Sequence, residues 1–214
     1  MDACESSRFE STARRGELRA TLPRSFYERP TLVVARELLG KILVHDSAAG
    51  TASGRIVETE AYVGPDDLAC HASRGRTPRT DVMFGPPGRA YIYFIYGMYY
   101  CLNAVTEGEG YPAAVLIRAI EPLTGMDLMR ARRHKTRRDR ELANGPGKLC
   151  LALSIDRDLN RADLTSGPLR IEDDGSPRPR VETSPRIGVG YAGEWAAKPW
   201  RFTVKGSSFV SKRA

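Results

Sequence analysis

Residues 89–105 of the 214-residue chain read RAYIYFIYGMYYCLNAV and give a strong signal for β-structure. Tyr, Ile, Phe and Val, which β-strands favour, fill it on both sides of Gly97. It is therefore predicted to form two antiparallel strands, 89–96 and 98–105, with Tyr96 at the tip of the turn between them. The hairpin is predicted to protrude from a larger sheet.

Further strands and helices are predicted around this hairpin. Apolar or alternating runs bounded by turn residues predict strands at 41–45, 54–62 and 113–119. Helical periodicity and Gly or Pro boundaries predict helices at 30–40, 122–140 and 148–153, whereas the Pro- and Ser-rich stretch 165–185 is predicted to be a surface excursion. This order indicates an α+β fold in which helices surround a single curved antiparallel β-sheet.

The composition is that of a globular chain with a basic balance. Lys and Arg number 33 against 26 Asp and Glu, the net charge is +7, and 41% of the residues are hydrophobic. This apolar content excludes a wholly disordered chain. We predict a flexible polar tail, 1–22, and one domain, 23–214. A membrane span is not expected, because it needs about 20 consecutive apolar residues and the longest apolar runs, such as 113–117, are short.

The cysteines predict neither a disulfide framework nor a metal site. Cys4, Cys70, Cys101 and Cys150 include no CxxC pair and have no His at the spacing of a zinc ligand. We therefore expect reduced thiols, three of them buried, in an intracellular protein whose reaction needs no metal. The polar N-terminus, which lacks the apolar stretch of a secretory signal, agrees with this location.

Positive charge is concentrated at a few places. Residues 130–140 read RARRHKTRRDR, and for such a run a solvated helix face and a nucleic-acid contact are equally open. Arg74 and Arg76 lie in a Gly-, Pro- and Ser-rich loop that can reach away from the scaffold. Lys148 stands at a predicted helix start, where a phosphate contact and a structural role are also equally open.

Two short motifs resemble nucleotide-binding loops and are rejected. Gly188, Gly190 and Gly193 match the G-x-G-x-x-G pattern, but Pro199 interrupts the long helix that a dinucleotide site requires. The GPGK at 145–148 lacks the glycine spacing and the hydroxyl residue of a phosphate loop. No cofactor is predicted.

The strand 54–62 carries two carboxylates on one face. Residues two apart on a strand share a face, so Ile56, Glu58, Glu60 and Tyr62 are predicted to point the same way. If that face is buried, each acid must be hydrogen-bonded or have a raised pKa, which is how a general base is made. If it is exposed, both acids are merely solvated. Spacing alone does not choose between Glu58 and Glu60.

Other candidate site residues lie on the neighbouring predicted elements. Arg118 shares a face with Leu116 on an apolar strand, and an inward arginine needs a carboxylate or phosphate partner. A buried Tyr93 would pack in the core, whereas Tyr96 at an exposed tip could stack on or wedge between bases. His71 is a candidate because it follows the carboxylate strand in a polar loop.

Two rival functions remain open on these residues. One is a nucleic-acid-binding module without catalysis, against which the combination of Glu60 with Arg118 argues. The other is a glycoside hydrolase that uses Glu58 and Glu60 as paired carboxylates, since residues two apart on a strand have Cα atoms roughly 6.5–7 Å apart. The positive charge and the lack of a Trp near those acids argue against it.

Taken together, the motifs resemble those of the alkyladenine (3-methyladenine) DNA glycosylases. The matching segments are VETEAYVGP at 57–65 with His71, MF at 83–84 with PG at 87–88, YIYFIYGM at 91–98 with Asn103, LIRAIEP at 116–122, NGP at 144–146 with KLC at 148–150, and GVG at 188–190 with GEW at 193–195 and KP at 198–199. The resemblance runs from about residue 26 to about residue 210, and neither 1–22 nor 165–185 contributes to it.

The resemblance implies a monofunctional repair enzyme that flips an alkylated or deaminated purine out of double-stranded DNA and hydrolyses its N-glycosidic bond. It implies Glu60 as the base that activates water, which Arg118 and the Val189 carbonyl place. The implied base pocket consists of Tyr62, His71, Tyr93 and Asn103, while Tyr96 fills the gap left in the duplex. Arg74, Arg76 and Lys148 are candidate DNA-backbone contacts. We expect a monomer that works without a metal or cofactor where the DNA is, in the bacterial cytoplasm or a nucleus.

Overall fold

The computed structural model describes residues 19–134 and 136–211. In this part of the chain, nine strands form one curved antiparallel sheet. They are β1 (Ala20–Thr21), β2 (Ile42–Ser47), β3 (Gly50–Tyr62), β4 (Ala90–Ile95), β5 (Tyr99–Val105), β6 (Ala114–Thr124), β7 (Leu169–Asp173), β8 (Val181–Ser184) and β9 (Arg201–Val204). Their order is β1-β7-β2-β3-β6-β5-β4, and β9 pairs with both β3 and β8.

Short helices cover the sheet and connect its strands. The α-helices are α1 (Arg24–Tyr27), α2 (Thr31–Glu37), α3 (Met126–Arg132) and α4 (Pro146–Leu153), and 3-10 turns lie at His71–Arg74, Asp81–Phe84, Asp139–Glu141, Arg157–Leu159 and Gly190–Ala197. Among the described residues, no helix is long and apolar enough to cross a membrane. The single-domain α+β fold predicted from the sequence is confirmed.

The main apolar core lies where helices α2 and α4 pack on strands β3, β5 and β6. Val34, Ile117 and Leu149 are fully buried in it. Complete burial of such a side chain stabilises the fold by about 1.5–3 kcal/mol. The sheet centre is thereby held rigid beneath the functional groups that β3 and β6 carry.

Strand β3 contains a β-bulge just before Glu58 and Glu60. Ile56 pairs with Ile120, but the next pair is Glu58 with Ala119, so β3 carries one extra residue between them. Such a bulge reverses the face on which the following side chains lie. Ile56 packs in the main core, whereas Glu58 bonds Arg118 on the other face. The prediction that Ile56 shares the carboxylate face is therefore wrong.

The predicted helix at 122–140 is wrong over most of its length. Residues 122–124 continue β6, where Pro122 and Thr124 pair with β3, and the helix covers only Met126–Arg132. Gly125 separates the two elements with a left-handed backbone, φ 72°. Sheet pairing overrides the helical periodicity on one side, and at the other end Arg133 leaves helical geometry at φ −112°.

The stretch 165–185 is not a surface excursion. Strand β7 lies between β1 and β2, and its residues Leu169 and Ile171 are fully buried. These alternate with the polar Arg170 and Glu172, a period-two signal that the surrounding Pro and Ser residues obscured. Strand β8 adds a second paired segment from the same stretch.

The predicted tail, 1–22, lies mostly outside the described residues, as does Cys4. Of its last residues, Ala20 and Thr21 form β1 and pair with β7, and Leu22 is buried in the main core. The sheet therefore begins upstream of the predicted boundary at 23.

Candidate active site

The hairpin β4–β5, strands β3 and β6 and the segment 187–191 enclose a cavity of about 380 Å³. This volume lies in the range of small-molecule sites. The lining side chains include Tyr62, His71, Met83, Tyr91, Tyr93, Tyr96, Tyr99, Cys101, Asn103, Leu116, Arg118, Ile187, Val189 and Tyr191. Most are apolar or aromatic, so the cavity suits a flat, apolar-faced group that makes few polar contacts.

Glu60 lies directly behind the wall of this cavity. It is fully buried, and its Oε2 accepts hydrogen bonds from the Tyr62 hydroxyl at 2.9 Å and from Arg118 Nη1 at 3.1 Å. Its Oε1 accepts the backbone N–H of Ile187 at 2.7 Å. All three donors belong to residues that line the cavity. The Glu60 carboxylate is thus held against the cavity by the groups that form its wall.

Glu58 is also fully buried, but its surroundings differ. Its Oε1 accepts from Arg118 Nε at 2.7 Å, Arg201 Nε at 2.8 Å and Ser211 Oγ at 2.7 Å, and its Oε2 accepts the Ser211 N–H at 2.6 Å. Burial alone would raise the pKa of Glu58, but Arg118, Ser211 and Arg201 outweigh it and hold that pKa below its ordinary value. Glu58 is therefore a fixed anion surrounded by donors.

Arg118 joins the two carboxylates, which confirms the prediction that this inward arginine has a carboxylate partner. Its Nε bonds Glu58, its Nη1 bonds Glu60, and its Nη2 donates to Ser211 Oγ at 3.3 Å. Arg118 and Leu116 both line the cavity, so the predicted shared face is confirmed as well. A planar guanidinium held at three corners has little freedom to rotate.

A second buried ion pair anchors the chain that carries Ile187 and Val189. Arg186 and Asp67 form a bidentate pair at 2.5 and 2.8 Å, and both side chains are completely buried. Arg186 also donates to the Ala61 carbonyl at 2.9 Å. Because Ile187 is the next residue, this pair fixes the N–H that reaches Glu60.

The aromatic wall is built by hydrogen bonds and ring contacts. His71 Nδ1 lies 2.9 Å from the Tyr91 hydroxyl, and the His71 ring meets the Tyr93 ring edge-on with centroids 4.6 Å apart. Asn103 is buried and donates from Nδ2 to the Tyr91 carbonyl at 2.9 Å. The structure therefore brings His71, Tyr93 and Asn103 together beside Tyr62, as the family resemblance implied.

Comparison with known proteins identifies the family of this chain. The sequence model described as methylpurine-DNA glycosylase (MPG) matches residues 25–208. The chain belongs to this family. It is 61% identical over 194 residues to a protein of Methanocella arvoryzae named "Putative 3-methyladenine DNA glycosylase", covering 90% of this chain and 96% of that one. Proteins with the same name in Anaeromyxobacter dehalogenans (strain 2CP-C) and Myxococcus xanthus are 55% and 53% identical, with 90% and 89% of this chain and 87% and 93% of theirs covered. The chain is thus a DNA glycosylase, a hydrolase that acts on N-glycosyl bonds.

His71 of this glycosylase is expected to be neutral at physiological pH. Burial first, and then the charges of Arg79 and Arg74, lower the pKa of His71 to about 4. In the unfolded chain the pKa is about 6.5. The folded protein therefore binds the proton less readily, and this group reduces folding stability as the pH falls from about 6.5 to about 4.

An NMR titration of the imidazole measures this, with the His71→Gln variant identifying the signal. A midpoint near 6.5 would contradict the expectation. In denaturant titrations, the free energy of unfolding of His71→Gln should fall less between pH 6.5 and 4 than that of the wild-type glycosylase.

The glycosylase presents its hairpin tip to solvent. Tyr96 is 80% exposed, and both Tyr96 and Gly97 have left-handed backbones, with φ of 55° and 67°. The Met98 N–H closes the turn onto the Ile95 carbonyl at 3.2 Å. Two consecutive positive φ angles are typical of a type I′ hairpin turn, and they project the Tyr96 side chain beyond the sheet.

Next to its turn, this hairpin packs on helix α4 through a glycine. A Cβ at Gly147 would lie 2.8 Å from the Cβ of Tyr99, closer than side-chain carbons approach each other. Gly147 therefore permits the contact that sets the hairpin against the helix. The sequence analysis rejected the GPGK motif as a phosphate loop and assigned no packing role to Gly147.

The candidate DNA-backbone contacts Arg74, Arg76 and Lys148 do not line the cavity. Lys148 directly follows Pro146 and Gly147, which do line it. Arg74 is exposed, Arg76 is paired with Asp81 at 2.8 Å, and Lys148 Nζ donates to Asn144 Oδ1 at 2.8 Å. Each retains part of its donor capacity for a further partner.

The basic run 130–140 divides into structural and exposed residues. Arg130 bonds Asp127 and Asp139, while Arg132 and Arg133 donate to main-chain carbonyls of Ala152 and Leu142. Arg137, Arg138 and Arg140 are exposed, and Lys135 lies outside the described residues. Part of the run therefore supports the fold rather than facing a partner.

The thiols of Cys70, Cys101 and Cys150 are free and buried, as predicted. Among the described residues, no cluster of three His, Cys, Asp or Glu side chains could hold a metal ion.

Several site residues escaped sequence reasoning. Tyr91 and Tyr93 lie two residues apart on β4 and both line the cavity, so backbone alternation could have identified Tyr91 beside Tyr93. Arg186, Arg201 and Ser211 gave no such signal, because an arginine or serine in a polar segment is ordinarily solvated.

Proposed function

We propose that this glycosylase flips an alkylated or deaminated purine out of duplex DNA and hydrolyses its N-glycosidic bond with a water molecule activated by Glu60, leaving an abasic site. The observation that carries the proposal is the position of the two carboxylates relative to the cavity. Within the described residues, every donor to Glu60 belongs to a residue that lines the cavity, whereas Arg201 and Ser211, which bond Glu58, do not line it. Oε1 of Glu60 accepts one hydrogen bond. A carboxylate oxygen has two acceptor sites, so Glu60 Oε1 retains one for a water proton.

Extrusion is required because the bond to be cleaved is inaccessible inside the base stack. Flipping a nucleotide costs a few kcal/mol, and least for a damaged or mismatched base. Tyr96, exposed at the hairpin tip, would offset this cost by stacking in the gap. The cavity behind the hairpin would receive the extruded purine between Tyr62, His71 and Tyr93.

The aromatic wall would select for positive charge. Alkylated purines are cationic, and an aromatic face attracts a cation by about 0.5–2 kcal/mol. A neutral His71 adds no opposing charge to this wall, and Tyr62 and Tyr93 stay protonated because burial raises the pKa of each well above its ordinary value. Asn103, held by the Tyr91 carbonyl, would act as the polar group that helps to exclude normal guanine.

Bond cleavage would develop positive charge on the sugar. An oxocarbenium-like transition state is stabilised by a nearby carboxylate, which can also accept the proton of the attacking water. Arg118 and the main-chain carbonyl of Val189 would place that water opposite the leaving base. Both residues line the cavity, and Val189 follows Ile187, whose N–H bonds Glu60.

We further propose that the reaction ends at the abasic site. A β-lyase step requires an amine that attacks the sugar, and the described residues that line the cavity include no lysine. The +7 charge and the exposed arginines favour duplex DNA as the partner. We propose a monomeric enzyme that works where the cell keeps its DNA. No metal or cofactor enters this mechanism.

The direct test is release of free base from duplexes that each contain one lesion: 3-methyladenine, 7-methylguanine, hypoxanthine or ethenoadenine. Chromatography should detect free base from at least the cationic lesions, and alkali should then cut the strand at the abasic site. Binding without release from any lesion would instead support a non-catalytic DNA-binding module. A paired-carboxylate glycoside hydrolase is disfavoured, because the four donors around Glu58 leave it no means to protonate a leaving group.

Tyr96→Ala is expected to slow excision, and most strongly for hypoxanthine, which still pairs in the duplex. Stacking of an aromatic side chain on a base contributes about 1–3 kcal/mol, so a loss of roughly fivefold to 160-fold is expected. Single-turnover excision from hypoxanthine and 7-methylguanine duplexes measures the effect. Tyr96→Phe keeps the ring and should react at nearly the wild-type rate. Equal losses on both lesions would argue against a wedge.

A further inference from the structure

The end of the described chain returns to the active site. After β9, the segment 205–211 folds back over the sheet, and Ser211 meets Glu58 with both its N–H and its hydroxyl, at 2.6 and 2.7 Å. The same hydroxyl accepts Arg118 Nη2 at 3.3 Å. Ser211 therefore touches both ends of the Glu58–Arg118 ion pair, although 93 residues separate it from Arg118 along the chain.

Glu58 does not touch the cavity, yet its bonding is unusually complete. Arg201 Nε bonds its Oε1 at 2.8 Å, and Arg118 Nε bonds the same oxygen at 2.7 Å. The ionised carboxylate of Glu58 also fixes the positions of its donors, because displacement of any donor would leave the buried charge less well compensated. Glu58 is thus an anchor for Arg118.

The anchoring of Arg118 by Glu58 affects the position of the Glu60 carboxylate. Arg118 presents Nη1 to Glu60 only in the rotational position that its other contacts define, with Nε on Glu58 and Nη2 on Ser211. If either contact is lost, the guanidinium can tilt, and the donor that orients Glu60 Oε2 moves. A shift of the base by a fraction of an ångström is enough to slow a reaction that depends on alignment.

We propose that Glu58, Arg201 and Ser211 form a C-terminal clasp that positions Arg118, and through it the water-activating Glu60, for base excision. The three are positioning residues, because none of them reaches the reacting atoms. This inference rests on the proposed function of Glu60, and it adds that the chain's 205–211 segment is part of the catalytic apparatus rather than a surface extension.

Ser211→Ala tests the clasp with little disturbance, since it keeps the N–H that bonds Glu58 and removes only the hydroxyl. Single-turnover excision of 7-methylguanine at saturating enzyme should slow by about tenfold, because a hydrogen bond to a charged group is lost. Affinity for a duplex with an abasic-site analogue and the thermal midpoint should stay near wild type. Ser211→Thr retains the hydroxyl and should restore most of the rate.

Ser208→Ala is the matched control, the same substitution at an exposed position of the same segment, and should leave the rate unchanged. The inference is overturned if Ser211→Ala reacts within twofold of wild type, or if its rate falls only in proportion to its DNA affinity. Wild-type excision in the same assay reports on the proposed function separately. If the wild type is active and Ser211→Ala reacts equally fast, only the clasp proposal is refuted. If the wild type itself releases no base, the proposed glycosylase mechanism is refuted.

Discussion

Glu60→Gln is expected to bind damaged duplex DNA and to release base about 10²–10⁴-fold more slowly than wild type, the range that a general base contributes. Glutamine has nearly the shape of glutamate but cannot accept a proton. Its amide must also direct N–H groups at either Ile187 N–H or the donors from Tyr62 and Arg118, because both carboxylate oxygens already accept hydrogen bonds. The loss should therefore appear in the chemical step.

Single-turnover excision at saturating enzyme and the dissociation constant for lesion-containing duplex separate the two effects. Glu182→Gln, a change of the same type on the exposed strand β8, serves as the control and should behave as wild type. Full excision by Glu60→Gln would show that another group activates the water. A large and equal loss of DNA binding would show that Glu60 acts in folding or recognition instead.

Arg186→Met is expected to have the largest effect on stability. The Arg186–Asp67 pair is completely buried, and removal of one partner leaves Asp67 as an uncompensated charge in the interior. Such a loss costs about 3–5 kcal/mol. Arg186 also bonds the main-chain carbonyls of Ala61 and Trp195, which would lose a donor as well. Urea titration of the free energy of unfolding measures the change.

Two controls interpret this result. The double variant Asp67→Asn with Arg186→Met removes the stranded charge and keeps an acceptor oxygen for one of the two N–H groups, of Val63 and Ala69, that bond Asp67, so it should recover part of the loss. Arg178→Met replaces an arginine that is 78% exposed in its ion pair and should change the stability little. An Arg186→Met protein as stable as wild type would show that the pair is not essential to the fold.

The failures of sequence interpretation have a common cause. Residues 122–124 begin the stretch 122–140 that was predicted to be helical, yet pairing with β3 makes them strand. Leu169 and Ile171 alternate as a strand within a stretch dominated by Pro and Ser. In both places the outcome depends on whether a neighbouring strand is available, which local composition does not reveal. The bulge before Glu58 is a further case, because an inserted residue in a ladder is defined only by its partner strand.

Properties that arise from a few consecutive residues could be predicted from the sequence alone. The hairpin around Gly97, the exposed Tyr96 at its tip, and the shared face of Glu58, Glu60 and Tyr62 follow from backbone alternation and turn chemistry, which act locally. The family, too, was recognisable from motifs in order. Which carboxylate lies against the cavity depends on the tertiary structure, because the donors to Glu58 and Glu60 come from residues 62, 118, 187, 201 and 211. Hydrogen bonds between residues so far apart form only after the sheet has brought their strands together, so no local pattern encodes them.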